Sequence, residues 1–76
     1  MKIRINTIQE ANLFSNICDK FEEDIDVSVG RYVIDGKSYL GLLSIGLPHE
    51  MNVEFHGKKE QKNRFKEMII KWIVED

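Results

Sequence analysis

Gly36-Lys37-Ser38-Tyr39-Leu40-Gly41-Leu42-Leu43-Ser44-Ile45-Gly46-Leu47 is the stretch from which the fold is read. Ser38 is placed to open a short helix, its hydroxyl accepting from backbone N–H groups of the first turn. Gly41 lies inside that helix and Gly46 is placed to stop it. The apolar residues between these punctuation marks outnumber what so short a helix can bury. Helical spacing lets Leu42 and Ile45 face a core and leaves Tyr39, Leu40 and Leu43 partly outside. An apolar knob left toward water on a small domain marks a docking surface for another protein.

Working outward, Asp35-Gly36 turns the chain into this helix from a hairpin. Ile25, Val27 and Val29 alternate with Asp26 and Ser28, and Gly30-Arg31 connects them tightly to Tyr32-Val33-Ile34. Downstream, Met51, Val53 and Phe55 alternate with Asn52 and Glu54, a strand ending at His56-Gly57. Ile3 and Ile5 around Arg4 give a first strand. From Thr7 the period changes: Ile8, Ala11, Phe14, Ile17, Cys18 and Phe21 share a helical face, and Thr7 with Glu10 forms a capping box. Phe65, Met68, Ile69, Trp72 and Ile73 follow helical spacing to the end of the chain, with Lys66, Glu67 and Lys71 outward. The element order β-α-β-β-α-β-α predicts an α+β domain over residues 1–76. Its four-stranded antiparallel sheet is covered by three helices on one face. The other face, carrying Lys2/Arg4, Asp26/Ser28 and Asn52/Glu54, is polar and meets water.

At 76 residues the chain makes one domain, in which nearly every large apolar residue must join a single core. A net charge of −2 argues against a general polyanion binder. The basic cluster Lys58, Lys59, Lys62, Arg64 and Lys66 has no aromatic interleaved for base stacking, so nucleic acid stands third among the partners considered. Cys18 is alone, which excludes an intrachain disulfide; it reads as core filling in a protein of a reducing compartment, the cytoplasm. No segment has the length to span a bilayer, so no membrane partner is expected. His49 and His56 have no cysteine or acidic ligand at metal-site spacing and read as exposed and idle. The acidic run Glu22-Glu23-Asp24-Asp26 reads as a solvated turn. No metal and no cofactor are expected. The absence of phosphate-binding, dinucleotide, serine-elbow, zinc and kinase motifs argues against an enzyme.

Gly36-Lys37-Ser38 followed by Gly41, Ser44 and Gly46 resembles the region around the regulatory serine of HPr. HPr is the histidine-containing phosphocarrier of the bacterial sugar phosphotransferase system. Lys20-Phe21 followed by Asp24-Ile25 resembles that family's helix-to-strand passage. The element order is that of its open-faced two-layer β-sandwich, and the likeness runs over residues 7–75. The resemblance implies that Ser38 corresponds to the family's kinase-regulated serine and that Tyr39, Leu40 and Leu43 lie in its partner-binding surface. It also implies a loss. Thr7 and Gln9 fall at the family's histidine and arginine positions, and Glu10 falls where the family usually has proline. A phosphohistidine at a helix start relies on free N–H groups and positive charge. Thr7 has no nucleophilic nitrogen, and Glu10 adds negative charge there.

The resemblance therefore implies a bacterial, phosphotransfer-incompetent regulatory module with no catalytic residue. Its partner would be another protein, a phosphotransferase-system component or a regulator. One alternative is a working phosphocarrier with a non-standard acceptor among His49, His56 and Thr7. The second alternative is a nucleic-acid binder acting through Lys58, Lys59, Lys62 and Arg64.

Overall fold

Ile3 and Ile5, Ile25 and Val27, and Met51, Val53 and Phe55 are all buried, as strand alternation demands when one sheet face is covered. In the computed structural model, which describes residues 1–76, these residues lie on β1 (Lys2–Ile5), β2 (Asp24–Val29) and β4 (His49–His56). β3 (Tyr32–Asp35) hairpins from β2 through Gly30-Arg31, where Gly30 supplies the positive φ of 57° that a two-residue turn needs. All pairings are antiparallel, in the order β3-β2-β4-β1-β5.

Three helices cover one face: α1 (Ile8–Cys18), α2 (Tyr39–Ile45) and α3 (Lys59–Met68). Their buried side chains, Ala11, Phe14, Cys18, Leu42 and Phe65, meet the strand residues in one core. Phe65 is the hub of an aromatic cluster. Its ring centre lies 6.2 Å from Phe14, 5.5 Å from Phe21 and 5.3 Å from Phe55. The first two contacts are edge-on, the arrangement the ring quadrupole favours.

The expected α+β open-faced architecture is present, with one addition at the C-terminus. The last helix stops at Met68, a 3₁₀ turn follows over Ile70–Trp72, and Ile73–Glu75 forms a fifth strand, β5. The sheet thus has five strands where four were expected. Spacing explains why the pattern did not reveal this: Ile69 and Trp72, three apart, share a face in a 3₁₀ turn as well as in an α-helix. Both are buried, while Met68 stays partly exposed. Ile69, Ile70, Ile73 and Val74 are β-branched, and Ile73 pairs with Ile3 on what would otherwise be the free edge of β1. Along α1 the predicted apolar face is trimmed at both ends. Ile8 begins the helix and is 56% exposed, and Phe21 lies beyond the helix end yet remains buried.

Candidate functional site

Two helix starts carry the residues singled out from the sequence. At α1, Thr7 is the N-cap, and its Oγ1 accepts from the Glu10 N–H at 3.1 Å. Glu10 Oε1 in turn accepts from the Asn6 N–H at 2.8 Å, and Asn6 Oδ1 from Arg4 Nε at 2.9 Å. The donors that a helix start offers to an anion are thus partly engaged, and a carboxylate stands among them. Thr7 and Gln9 are both exposed.

At α2, Ser38 is the N-cap, and its Oγ accepts from the Gly41 N–H at 3.1 Å. No acidic residue lies in this first turn. Gly41 is required by closeness: a Cβ there would stand 2.5 Å from Ile34 Cγ2 and 3.0 Å from Ser38 Oγ. Gly46, with φ of 90°, ends the helix. The turn before Ser38 is anchored on both sides. Gly36 N–H donates to the Ile25 carbonyl at 2.7 Å, and the buried Ser15 hydroxyl donates to the Lys37 carbonyl at 2.9 Å.

The apolar residues of α2 separate by exposure. Leu42 is fully buried. Tyr39, Leu43 and Ile45 are half-buried and pack against the core, and Leu40 is 76% exposed. A second apolar surface, absent from the sequence reading, borders α2 at Ser44 and Ile45. It is a groove of about 510 Å³ lined also by Val29, Tyr32, Val33 and Ile34. Its signal was topological: β3 is an edge strand, so Tyr32 and Val33 pair with β2 on one side and have no strand on the other.

The remaining candidates lie apart from these sites. Cys18 is buried, and burial, with Asp19 and Asp35 adding to it, pushes its thiol up to about 12, as suits core filling. Lys58, Lys59, Lys62 and Arg64 are exposed on and before the first turns of α3, while Trp72 is buried and so withheld from stacking. His49 opens β4 opposite Ile5, at the end of the sheet from which α1 departs. His56 corrects the sequence reading, which gave it no acidic neighbour. Its Nε2 lies 2.9 Å from Asp26 Oδ2 and 3.9 Å from Glu54 Oε2. Asp26 lies in β2, on the open sheet face that strand alternation predicts for it, and not in the turn to which the acidic run assigned it. Thirty residues of chain separate the two partners, and only the β2–β4 register brings them together.

No protein-family model matches the sequence, and no curated protein matches it. Solved structures do match the fold. HPr-C-His from Thermoanaerobacter tengcongensis superposes with a TM-score of 0.73 at 21% identity, over 100% of this chain and 96% of that one. The histidine-containing phosphocarrier protein of Mycoplasma gives 0.71 at 14% identity, over 93% and 91%. Crh, the Bacillus subtilis catabolite repression protein, whose structure is a dimer with a swapping domain, gives 0.67 at 19% identity, over 99% and 90%. The chain therefore has the fold of the histidine-containing phosphocarriers. In architecture it is an HPr-like protein, with β5 as the fifth strand of its sheet.

Proposed function

We propose that this chain is an HPr-like protein that works by binding another protein rather than by carrying phosphate on a histidine at the start of α1. The observation that carries the reading is the chemistry of that helix start. Thr7 caps it, Glu10 closes back over it, and both histidines of the chain lie in β4. A phosphoryl group placed there would meet a carboxylate and would leave threonine as a stable ester, a poor donor for onward transfer. The first turn of α2 holds no carboxylate, the nearest being Asp35 on the Lys37 N–H before the cap, and the binding role falls to the exposed Leu40 with Tyr39 and Leu43, with Ser38 the site where modification would switch it. A phosphate of about −1.5 to −2 charge at Ser38 would sit at a helix N-terminus and weaken apolar docking beside it. Crh, whose name ties this fold to catabolite repression, supports a regulatory use. The partner class is a phosphotransferase-system component or regulator in the cytoplasm. No helix is long and apolar enough to cross a membrane.

The deciding experiment is incubation with enzyme I, HPr and labelled phosphoenolpyruvate. The protein is expected to stay unlabelled, and an acid-labile phosphate would overturn the reading. One position gives a labelled product a specific meaning. His49 pairs with Ile5, only two residues before Thr7, so label that disappears in His49→Ala would establish the non-standard phosphocarrier instead. For docking, Leu40→Asp is the clean variant, because Leu40 contributes little to the core. Loss of a partner with an unchanged circular dichroism spectrum is the expected result.

A further inference from the structure

The open face of the sheet concentrates negative charge in one corner. Antiparallel register sets Asp26 directly across from Glu54, Asp24 across from His56, and Asp35 across from Asp26 on the other side. Directly opposed residues project from the same face, and two of these carboxylates, Asp26 at 2.9 Å and Glu54 at 3.9 Å, reach the His56 imidazole. Like charges opposite one another on neighbouring strands oppose folding, and here two such pairs share Asp26. No lysine or arginine forms an ion pair with any of the four. Lys2 and Arg4, the cations of this face, are paired with Glu75 and Glu50 at 3.8 and 3.7 Å. An unbalanced acidic corner of this kind is complementary to a cation.

We propose that Asp26, Glu54 and His56 form a binding site for a divalent transition-metal ion, zinc in the first instance. Their ligand atoms, one from each side chain, all lie within 4.8 Å of one another. Tetrahedral zinc with nitrogen and oxygen ligands at about 2.0–2.2 Å holds its donors roughly 3.3–3.5 Å apart. His56 Nε2 and Asp26 Oδ2, at 2.9 Å, would open by a few tenths of an ångström, and His56 Nε2 and Glu54 Oε2, at 3.9 Å, would close by a similar amount. Side-chain rotation suffices, since all three side chains are at least 41% exposed. The backbones that carry them are fixed by the β2–β4 ladder. The imidazole selects against magnesium and calcium, which prefer all-oxygen shells. Three protein ligands leave the fourth position to water.

The test is titration of the chelator-treated full chain with zinc chloride, followed by calorimetry and by nuclear magnetic resonance of the histidine rings. The expected result is saturable binding of one ion per chain, with the His56 ring and the Asp26 and Glu54 amides shifting together. His56→Gln and Glu54→Gln should each weaken binding at least tenfold. His49→Gln, which alters the chain's other histidine, should leave the affinity unchanged. Failure to saturate at one ion, or equal loss in His49→Gln and His56→Gln, overturns the proposal. All three variants change half-buried or exposed side chains, and their melting temperatures without metal report whether the fold is intact.

Discussion

The starts of α1 and α2 use the same device to opposite effect. In each, a hydroxyl N-cap accepts from the N–H three residues on, at 3.1 Å in both cases. The difference lies in what occupies that third position. In α1 it is Glu10, whose carboxylate folds back to the Asn6 N–H and places negative charge at the positive end of the helix. In α2 it is Gly41, which has no side chain because Ile34 occupies the space. Each start has a carboxylate on the N–H before its cap, but in α1 it comes from Glu10 inside the first turn, whereas in α2 it comes from Asp35, ahead of the helix, at 2.9 Å from the Lys37 N–H, and that first turn is held against β3. Caps of equal geometry can thus differ in whether the nearby carboxylate belongs to the helix's own first turn.

The largest test of this contrast exchanges steric demand. Gly41→Val forces a branched side chain against Ile34 Cγ2 and the Ser38 hydroxyl, and is expected to cost about 1–3 kcal/mol of unfolding free energy in urea. Glu10→Val at the matching position of α1 meets no such wall and should lose only its carboxylate's contact, about 1 kcal/mol. Equal losses would mean that packing against β3 does not distinguish the two starts.

Removing the caps has a smaller effect. Thr7→Ala and Ser38→Ala should each cost about 1 kcal/mol. Cys18 separates them, because its thiol lies beside the turn before α2: a Cβ on Gly36 would stand 3.2 Å from Cys18 Sγ. In Ser38→Ala, loosening of that turn should raise the rate of thiol modification by a disulfide reagent about fivefold, the factor that 1 kcal/mol of local opening provides. In Thr7→Ala, at the far end of α1, the rate should change less. The same thiol predicts a loss of stability at alkaline pH. The folded-state value near 12 exceeds the unfolded one, so the unfolded chain ionises first. The thiol's contribution is therefore complete below about pH 8.5 and is lost as the pH climbs toward 12. Cys18→Ala should flatten that part of the pH profile.

Much of this was legible before any coordinates, and the reason is locality. Ser38, Gly41, Gly46, Thr7 and Glu10 act within one turn of themselves, so their chemistry can be read from neighbours in the chain. The β2–β3 hairpin is equally local, since Gly30-Arg31 alone decides it. What escaped depends on register or on ambiguous spacing. The pattern Ile69, Trp72, Ile73 serves an α-helix and a 3₁₀ turn alike, and the pairing of Ile73 with Ile3 settles the matter from 70 residues away. Asp26 and Glu54 looked like ordinary solvent-face residues of separate strands. Only the β2–β4 ladder reveals that they oppose each other with His56 alongside. The proposed docking surface was half legible: periodicity separated Leu42 from Leu40, but the groove beside Tyr32 requires knowing that β3 is an edge.

The finest test of the two starts is electrostatic. Aspartate is as good an N-cap as serine, so Ser38→Asp should keep the bond to the Gly41 N–H and gain from the helix dipole, a gain offset by the Asp35 carboxylate on the neighbouring Lys37 N–H, leaving stability about unchanged. Thr7→Asp keeps the same geometry but sets a carboxylate three residues from Glu10, a like-charge pair that costs roughly 0.2–0.5 kcal/mol. The gap between the two variants should narrow as salt is raised, since both sites are solvent-accessible and their charges are screened. Adding Glu10→Gln to Thr7→Asp should close it at low salt. If the gap persists in that double variant, the α1 start disfavours an anion through its shape rather than its charge. Phosphate at Thr7 would then be disfavoured only by threonine's lack of a nucleophilic nitrogen.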